Sequence, residues 1–397
     1  MSPRGMARWA QLKGLRVLGT GDFTHPGWLG ELREALEPAG EGLFRLREPV
    51  EDVPTRVRSE VLFVLTAEVS SVYKVKGRLR KVHCLLLVPG FAEAAALSAR
   101  LARWGDLSAD GRPTLRLPAR GLLETLLEVC PRGLLIPAHA WTPHFSVFGA
   151  FSGFDTLEDC FGSLSPHVPA LETGLSSDPP MNWRLSALDA LRLVSFSDAH
   201  SPQNLAREAT EFEAPCTYEG LRRAICTGQG LVGTVEFFPE HGKYHLDGHR
   251  PCGQRLAPSE SRARGYRCPS CGGRLTVGVL SRVEALADRA LGARPPGAKA
   301  FRHLVPLREV LAEALGAGPA TKAVQGLYMR LLEELGPELQ VLLSAPLQRL
   351  RRLADGRLAE AVRRVRQGQL YIEPGYDGQY GVVRIFPPEE RSQRSLF

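Results

Sequence analysis

Apolar residues in the first 235 positions fall into short runs separated by polar, glycine- or proline-containing breaks. GLRVLGT (14–20), VLFVLTA (61–67), KVHCLLLV (81–88), GLLIPA (133–138), VPALET (168–173) and LRLVSF (191–196) are too short for buried helices. Their length and branched residues predict buried strands. Between them, WLGELREAL (28–36) and FAEAAALSARLARW (91–104) space their apolar residues three and four apart, which predicts helices. This alternation predicts an α/β fold, a parallel sheet or barrel with helices outside. The stretch 239–276 breaks the pattern, being rich in His, Gly, Cys and Pro, and reads as a small loop-rich module. Amphipathic helices follow at 279–291, 304–315, 323–335 and 357–367. The closing GQLYIEPGYDGQYGVVRIFP predicts two strands around a PGYDG turn, a terminal hairpin.

Charge and cysteine usage narrow the class only a little. A net charge of +7 suits a polyanionic partner without requiring one. No run of 18 apolar residues exists, and MSPRGMARWAQLKG lacks the apolar centre of a signal peptide. The expectation is a cytoplasmic protein with no membrane contact. Cys84, Cys130, Cys160, Cys216 and Cys226 are scattered, whereas Cys252, Cys268 and Cys271 cluster. That division fits a reducing compartment and a metal knuckle better than a disulfide framework.

Candidate chemistry sits at the strand ends. Asp22 and His25 follow the first apolar run and Glu68 the second; His83 lies in the third, His139 follows the fourth, and Asp198 and His200 end SFSDAH. Any one histidine in such a place is more often a hydrogen-bonded structural residue. Repetition over five segments changes the reading, because the strand C-termini of an α/β barrel converge on one face. A mixed imidazole–carboxylate set suits Zn²⁺, Mn²⁺ or Fe²⁺ better than Mg²⁺ alone, and several such ligands suggest a multinuclear site for phosphoester chemistry. Asp198 and His200 are the most informative pair, since alternate residues of an extended segment share a face.

The cysteine cluster is a second candidate site. Cys268-Pro-Ser-Cys271 and His249-Arg-Pro-Cys252 supply two ligand pairs at knuckle spacing, which suits a tetrahedral structural Zn²⁺. His241 and His245 compete with His249 for the fourth position. Aromatic residues after His139 form a softer signal. Trp141, Phe145 and Phe148 are candidates to stack on a base, while Phe154 and Phe161 are expected to pack inside. The basic run from Arg349 to Arg366 reads as a solvated helical face.

The ordered set Asp22, His25, Glu68, His83, His139, Asp198 and His200 resembles the metal ligands of PHP domains. ARWAQLKGLRVLGTGDFTHPGWL, LETGLSSDPPMNWRLSALD, FSDAHSPQNLAREAT, CPSCGGRLTVGVLSRVEALADR and PGYDGQYGVVRIF resemble the endonuclease Q family across nearly the whole chain. The resemblance implies a PHP-type distorted (β/α)7 barrel over 1–235, a zinc-binding module over 236–278, and a helical C-terminal region over 279–397 ending in a hairpin. It implies two or three divalent metals (Zn²⁺, Mn²⁺ or Mg²⁺) in the barrel, and Asp198 and His200 in a catalytic role. Glu172 and Asp178 would stand behind the ligands. The implied activity is a nick on the 5′ side of uracil, hypoxanthine, xanthine or an abasic site in damaged DNA. A replication or repair protein is an open partner. A small-molecule phosphatase of the PHP kind, or a DNA-binding protein that has lost catalysis, stay open as alternatives. The family opens on a His-x-His pair in a first strand, and none of the ten histidines here forms one. ARWAQLKGL corresponds to the family's first helix, so the expectation is an N-terminally truncated member whose barrel lacks its first strand.

Overall fold

The structure, a computed structural model, describes residues 1–109 and 111–392. Strands β1 (Val17–Gly19), β2 (Leu36–Pro38), β3 (Phe44–Leu46), β4 (Leu62–Val75), β5 (Arg78–Val88), β6 (Thr114–Leu115) and β7 (Leu134–Pro137) share one sheet. Its path runs β2-β3-β4-β5-β7, and β1 and β6 each join β4 in parallel. β8 (Ala170–Glu172) and β9 (Arg192–Val194) pair in parallel, and β10 (Ala209–Phe212) and β11 (Leu231–Glu236) pair antiparallel. β12 (Asp247–His249) and β13 (Gln254–Leu256) make a two-stranded ribbon, and β14 (Ala300–His303) returns to lie parallel to β11. β15 (Tyr371–Glu373) and β16 (Val382–Arg384) form the terminal hairpin.

The sheet is mixed where the alternation of strands and helices predicts a parallel one. β4 and β5 are a long antiparallel hairpin, in register from Leu65↔Val88 to Val75↔Arg78. Their connection is Lys76-Gly77, both with positive φ (48° and 79°). A two-residue loop with that geometry matches the twist of the flanking strands. The apolar runs at 61–67 and 81–88 are therefore the inner halves of longer strands whose outer halves are polar.

Alternation along these strands builds two distinct cores. On β4, Phe63, Leu65, Ala67 and Val69 join the large core, while Leu62 and Val64 join a second one. On β5, Val82, Cys84, Leu86 and Val88 face the large core and Leu87 the second; on β7, Leu135 faces the first and Leu134 and Ile136 the second. Successive side chains of a strand point to opposite faces, so each strand is sandwiched between the cores. Tyr218 and Ile225 of the helix Tyr218–Thr227 close the second core from one end. Glu68 shares the parity of Leu62 and Val64, and His83 that of Leu87. Both therefore face the inner, second-core side.

The C-terminal helices are not a separate body. Val310, Leu331, Leu332, Leu350 and Val362 belong to the same large core as Met6 and Leu12 of the helix Pro3–Lys13. Lys13, at that helix's end, is buried against Glu338, with Nζ 2.8 Å from Oε2. β14 also carries the chain after residue 278 back into the sheet of β10 and β11, so this region is not purely helical. The basic run contributes partly to this architecture. Arg366 donates to the carbonyls of Val341, Leu342 and Ala345, and Arg363 and Arg364 pair with Glu360.

Candidate metal centre

Glu68 and His83 are near neighbours across the β4–β5 pair. Glu68 lies opposite Leu85, and His83 opposite Ser70, which makes them diagonal on the inner face. His139, just beyond β7, completes a triangle. Glu68 Oε1 is 2.9 Å from His83 Nδ1 and 3.2 Å from His139 Nε2, and the two ring nitrogens are 3.1 Å apart. Ligand atoms about 2.0–2.2 Å from one divalent ion lie roughly 3 Å from each other, so the triangle has the size of one face of a coordination polyhedron. The donor set, two imidazoles and a carboxylate, suits Zn²⁺ or Mn²⁺.

Electrostatics around the triangle follow from burial and close pairing. Desolvation alone would raise Glu68, but hydrogen bonds from His139 and His83 hold its carboxyl far below the usual range. Desolvation lowers His83, and the hydrogen bond to Glu68 offsets only part of that. His139 ends up raised because Glu68 outweighs the desolvation that opposes it. Its backbone N–H donates to Glu172 Oε2 at 2.7 Å, and burial pushes the Glu172 carboxyl up to about 8. Gly174 lies against His139: a Cβ there would stand 2.5 Å from that of His139. His139 Nδ1 is buried without a hydrogen-bond partner.

The other four candidate ligands line a cavity of about 930 Å³ that also reaches Glu68 and Glu172. Asp22 takes φ 45° just after β1, and desolvation raises its carboxyl. His25 caps the helix Pro26–Ala35, Nδ1 accepting from Trp28 N at 3.2 Å. Asp198, at φ 42°, places Oδ1 2.5 Å from Arg112 Nη2, while its carbonyl accepts from Arg207. His200 is largely exposed and turns Nδ1 back to the Asp198 carbonyl at 3.0 Å. The positive φ at Asp198 thus breaks the simple alternation expected for Asp198 and His200. Asp22, His139 and Asp198 all hold left-handed backbone, a local strain that the surrounding structure must support.

The aromatic expectation needs correcting. Trp141 and Phe148 are buried against each other with ring centroids 4.9 Å apart, and Trp141 Nε1 donates to Asn182 Oδ1 at 2.8 Å. Neither can stack on a base. Phe145 is half-buried and supports the His83 ring from 4.8 Å. The exposed aromatic of this loop is Phe151, stacked on His144 at 4.6 Å. Sequence reasoning also missed Arg112, whose position in a loop between helix and strand gave no periodic signal.

In the cysteine module, the ligand atoms of His249, Cys252, Cys268 and Cys271 all lie within 4.8 Å of one another. Cys271 Sγ is 3.6 Å from His249 Nδ1, close to the roughly 3.6 Å expected across a tetrahedral zinc. Desolvation alone would raise the Cys268 thiol, but the Cys271 and Ser270 amides bring it down to about 7, toward the thiolate that binds metal. His241 and His245 are engaged elsewhere. His241 packs on Phe237 and Tyr380, and His245 is buried within the field of Glu240 and Asp178. Asp377 and Asp247 brace the module. Asp377 accepts from Arg250 N and Thr276, and Asp247 from Gly278 N and Ser281.

A mixed fold that gathers imidazoles and carboxylates on its inner face, beside a cluster of one histidine and three cysteines, defines an α/β protein of the metal-binding class. Residues 306–369 match the family described as the MJ0043 C-terminal domain. The uncharacterized protein MJ0043 of Methanocaldococcus jannaschii is 33% identical over 260 residues, 63% of this chain but 32% of that protein, so the chain spans about a third of its length. The uncharacterized protein YqxK of Bacillus subtilis is 28% identical over 94% of this chain and 89% of its own. The crystal structure of a lesion-specific endonuclease from Pyrococcus furiosus superposes with a TM-score of 0.83 at 32% identity, covering 99% of this chain and 92% of that one. An endonuclease Q complex with a 27-mer duplex carrying an abasic lesion gives 0.82 at 32% identity, over 98% and 92%. The chain belongs to the endonuclease Q family.

Proposed function

We propose that the chain is a metal-dependent DNA repair endonuclease that nicks on the 5′ side of a deaminated base (uracil, hypoxanthine or xanthine) or an abasic site. The observation that carries the reading is the near-full-length likeness, at 32% identity, to a lesion-specific endonuclease. The convergence of Glu68, His83 and His139 supports it, because a divalent ion held there is one established means of cleaving a phosphodiester.

In this reading residues 1–235 form a PHP-type distorted barrel, 236–278 a zinc-binding module, and 279–397 a C-terminal region that buttresses the barrel. Glu68, His83 and His139 hold one divalent ion, and Asp22, His25, Asp198 and His200 serve others from the cavity wall. Ions held there would supply Lewis acidity toward water and the phosphoryl oxygens. Glu172 fixes the His139 backbone, and hence its ring, as outer partners of metal ligands do. His200, largely exposed on the cavity wall with Asp198 beside it, is placed to meet an entering phosphate. A lesion pairs poorly, so turning it out of the duplex costs less than for a normal base, which contributes to selectivity. His249, Cys252, Cys268 and Cys271 hold a structural Zn²⁺. No described helix is long and apolar enough to cross a membrane.

The test is a nicking assay with Mn²⁺ or Mg²⁺ on end-labelled duplexes carrying one uracil, one hypoxanthine or one abasic site. Cleavage 5′ of the lesion, with undamaged duplex intact, is expected. Equal cutting of damaged and undamaged DNA refutes the repair assignment. Hydrolysis of p-nitrophenyl phosphate without any nicking replaces it with a phosphatase.

A further inference from the structure

Among the described residues, Arg112 sets a cation directly against the candidate centre, and it comes from outside the strands that carry the ligands. It sits in the loop between the helix Phe91–Leu101 and β6, just after Gly111, which has φ 82°. Its guanidinium spans two carboxylates. Nε is 2.6 Å from Glu68 Oε2, and Nη2 is 2.5 Å from Asp198 Oδ1. On Glu68 this is the oxygen the imidazoles leave unused, since His83 and His139 both approach Oε1; Asp198 Oδ1 is shared with His200 Nδ1 at 3.8 Å.

Two details argue against a purely structural tie. The Nε–H, although buried, is poorly aligned on Glu68 Oε2, so the tie is chiefly one of charge with the hydrogen bond secondary. The side chain also remains a quarter exposed and lines the cavity. A divalent ion held by Glu68 through Oε1, or by Asp198, would stand next to the guanidinium and repel it at close range. Released, the planar fork matches two oxygens of a phosphate.

We propose that Arg112 is a resident cation: it holds Glu68 and Asp198 together in the metal-free protein, is displaced when divalent metal loads, and then contacts the DNA phosphate entering the cavity. The DNA half of this proposal rests on the endonuclease reading; the metal half does not.

The experiment has two arms on the full chain. Mn²⁺ affinity is measured without DNA by competition with a chelating dye, Mn²⁺ being chosen because it is a poor match for the thiolate module. Arg112→Gln removes the charge and should bind Mn²⁺ about 10-fold more tightly, since charge-assisted contacts to the ligands no longer have to be broken. Arg112→Lys keeps a competing cation and should stay within about 3-fold of wild type. Unchanged or weaker Mn²⁺ binding in Arg112→Gln, or equal tightening in Arg112→Lys, overturns displacement. The second arm follows lesion-duplex binding against salt. Arg112→Gln should lower the salt slope by about one and raise KM despite its better metal binding. An unchanged slope overturns the phosphate contact. If wild type neither binds nor nicks lesion DNA, the endonuclease reading and the phosphate contact fall together, while the Mn²⁺ arm still decides displacement.

Discussion

Removing Glu338 should cost more stability than any surface change. Its carboxylate meets Lys13 Nζ at 2.8 Å, accepts from Tyr328 Oη at 2.8 Å and from Leu307 N at 3.0 Å, and both ionic side chains are almost fully buried. Glu338→Ala leaves the ammonium, the phenol and the amide without an acceptor. Breaking a buried pair on one side costs about 3–5 kcal/mol. The shared core makes the N-terminal α/β region and the C-terminal helices one cooperative unit. Over 397 residues, an unfolding entropy of about 2.1 cal/mol/K each gives roughly 0.8 kcal/mol/K, so Tm should fall by about 4–6 °C. Lys13→Met combined with Glu338→Gln removes both charges, keeps an acceptor for Leu307 N and turns an amide N–H toward Tyr328 Oη. It should recover most of the loss, as buried pairs replaced together often do. Calorimetry on the three proteins checks this. A Tm shift under about 1 °C for Glu338→Ala, or a double variant no better than the single one, refutes the idea that the pair clamps the first helix to the C-terminal region.

Four further outcomes follow. Glu68→Ala should abolish Mn²⁺ binding at the centre and reduce nicking by about 100-fold or more, read by dye competition and the duplex assay. Cys268→Ala with Cys271→Ala should lose one tightly held Zn²⁺ by elemental analysis and melt lower, because structural zinc contributes folding free energy directly. Phe148→Ala should lower stability by about 3–5 kcal/mol in urea, whereas Phe151→Ala, with its exposed ring, should leave stability within about 0.5 kcal/mol and weaken lesion-duplex binding instead. Desolvation raises Glu236 to about 7, even though Thr173 donates to it at 2.9 Å. Folded chain thus keeps a proton that unfolded chain releases near 4.5, so this contribution is full below about pH 4.5 and lost as pH rises through about 7. Glu236→Gln should flatten the fall in urea midpoint across that window.

What the sequence disclosed depended on whether a local signal existed. Strand runs and amphipathic helices announce themselves by period, and Glu68, His83 and His139 could be proposed because each adjoins such a run. The β4–β5 hairpin was hidden because its outer halves are polar, and Lys76-Gly77 was the overlooked clue. Trp141 and Phe148 looked like loop aromatics, since nothing in their spacing reveals that the loop folds inward over Asn182. His249 could not be separated from His241 and His245 by spacing alone; three-dimensional packing made that choice. Arg112 was invisible for a deeper reason. Its partners lie 44 and 86 positions away, and no local rule connects a loop arginine to them.

The division of β4 between two cores bears on how such a chain can change over generations. Its odd positions serve the helical coat and its even positions the chemistry, so substitutions on one set can proceed while the other is held. Insertions and deletions have no such freedom. Adding one residue between Leu65 and Glu68 would turn the carboxylate into the helical coat and push an apolar side chain toward the imidazoles. The strand should therefore drift in letters and keep its length, and a length polymorphism within it would mark a lineage that has abandoned the metal.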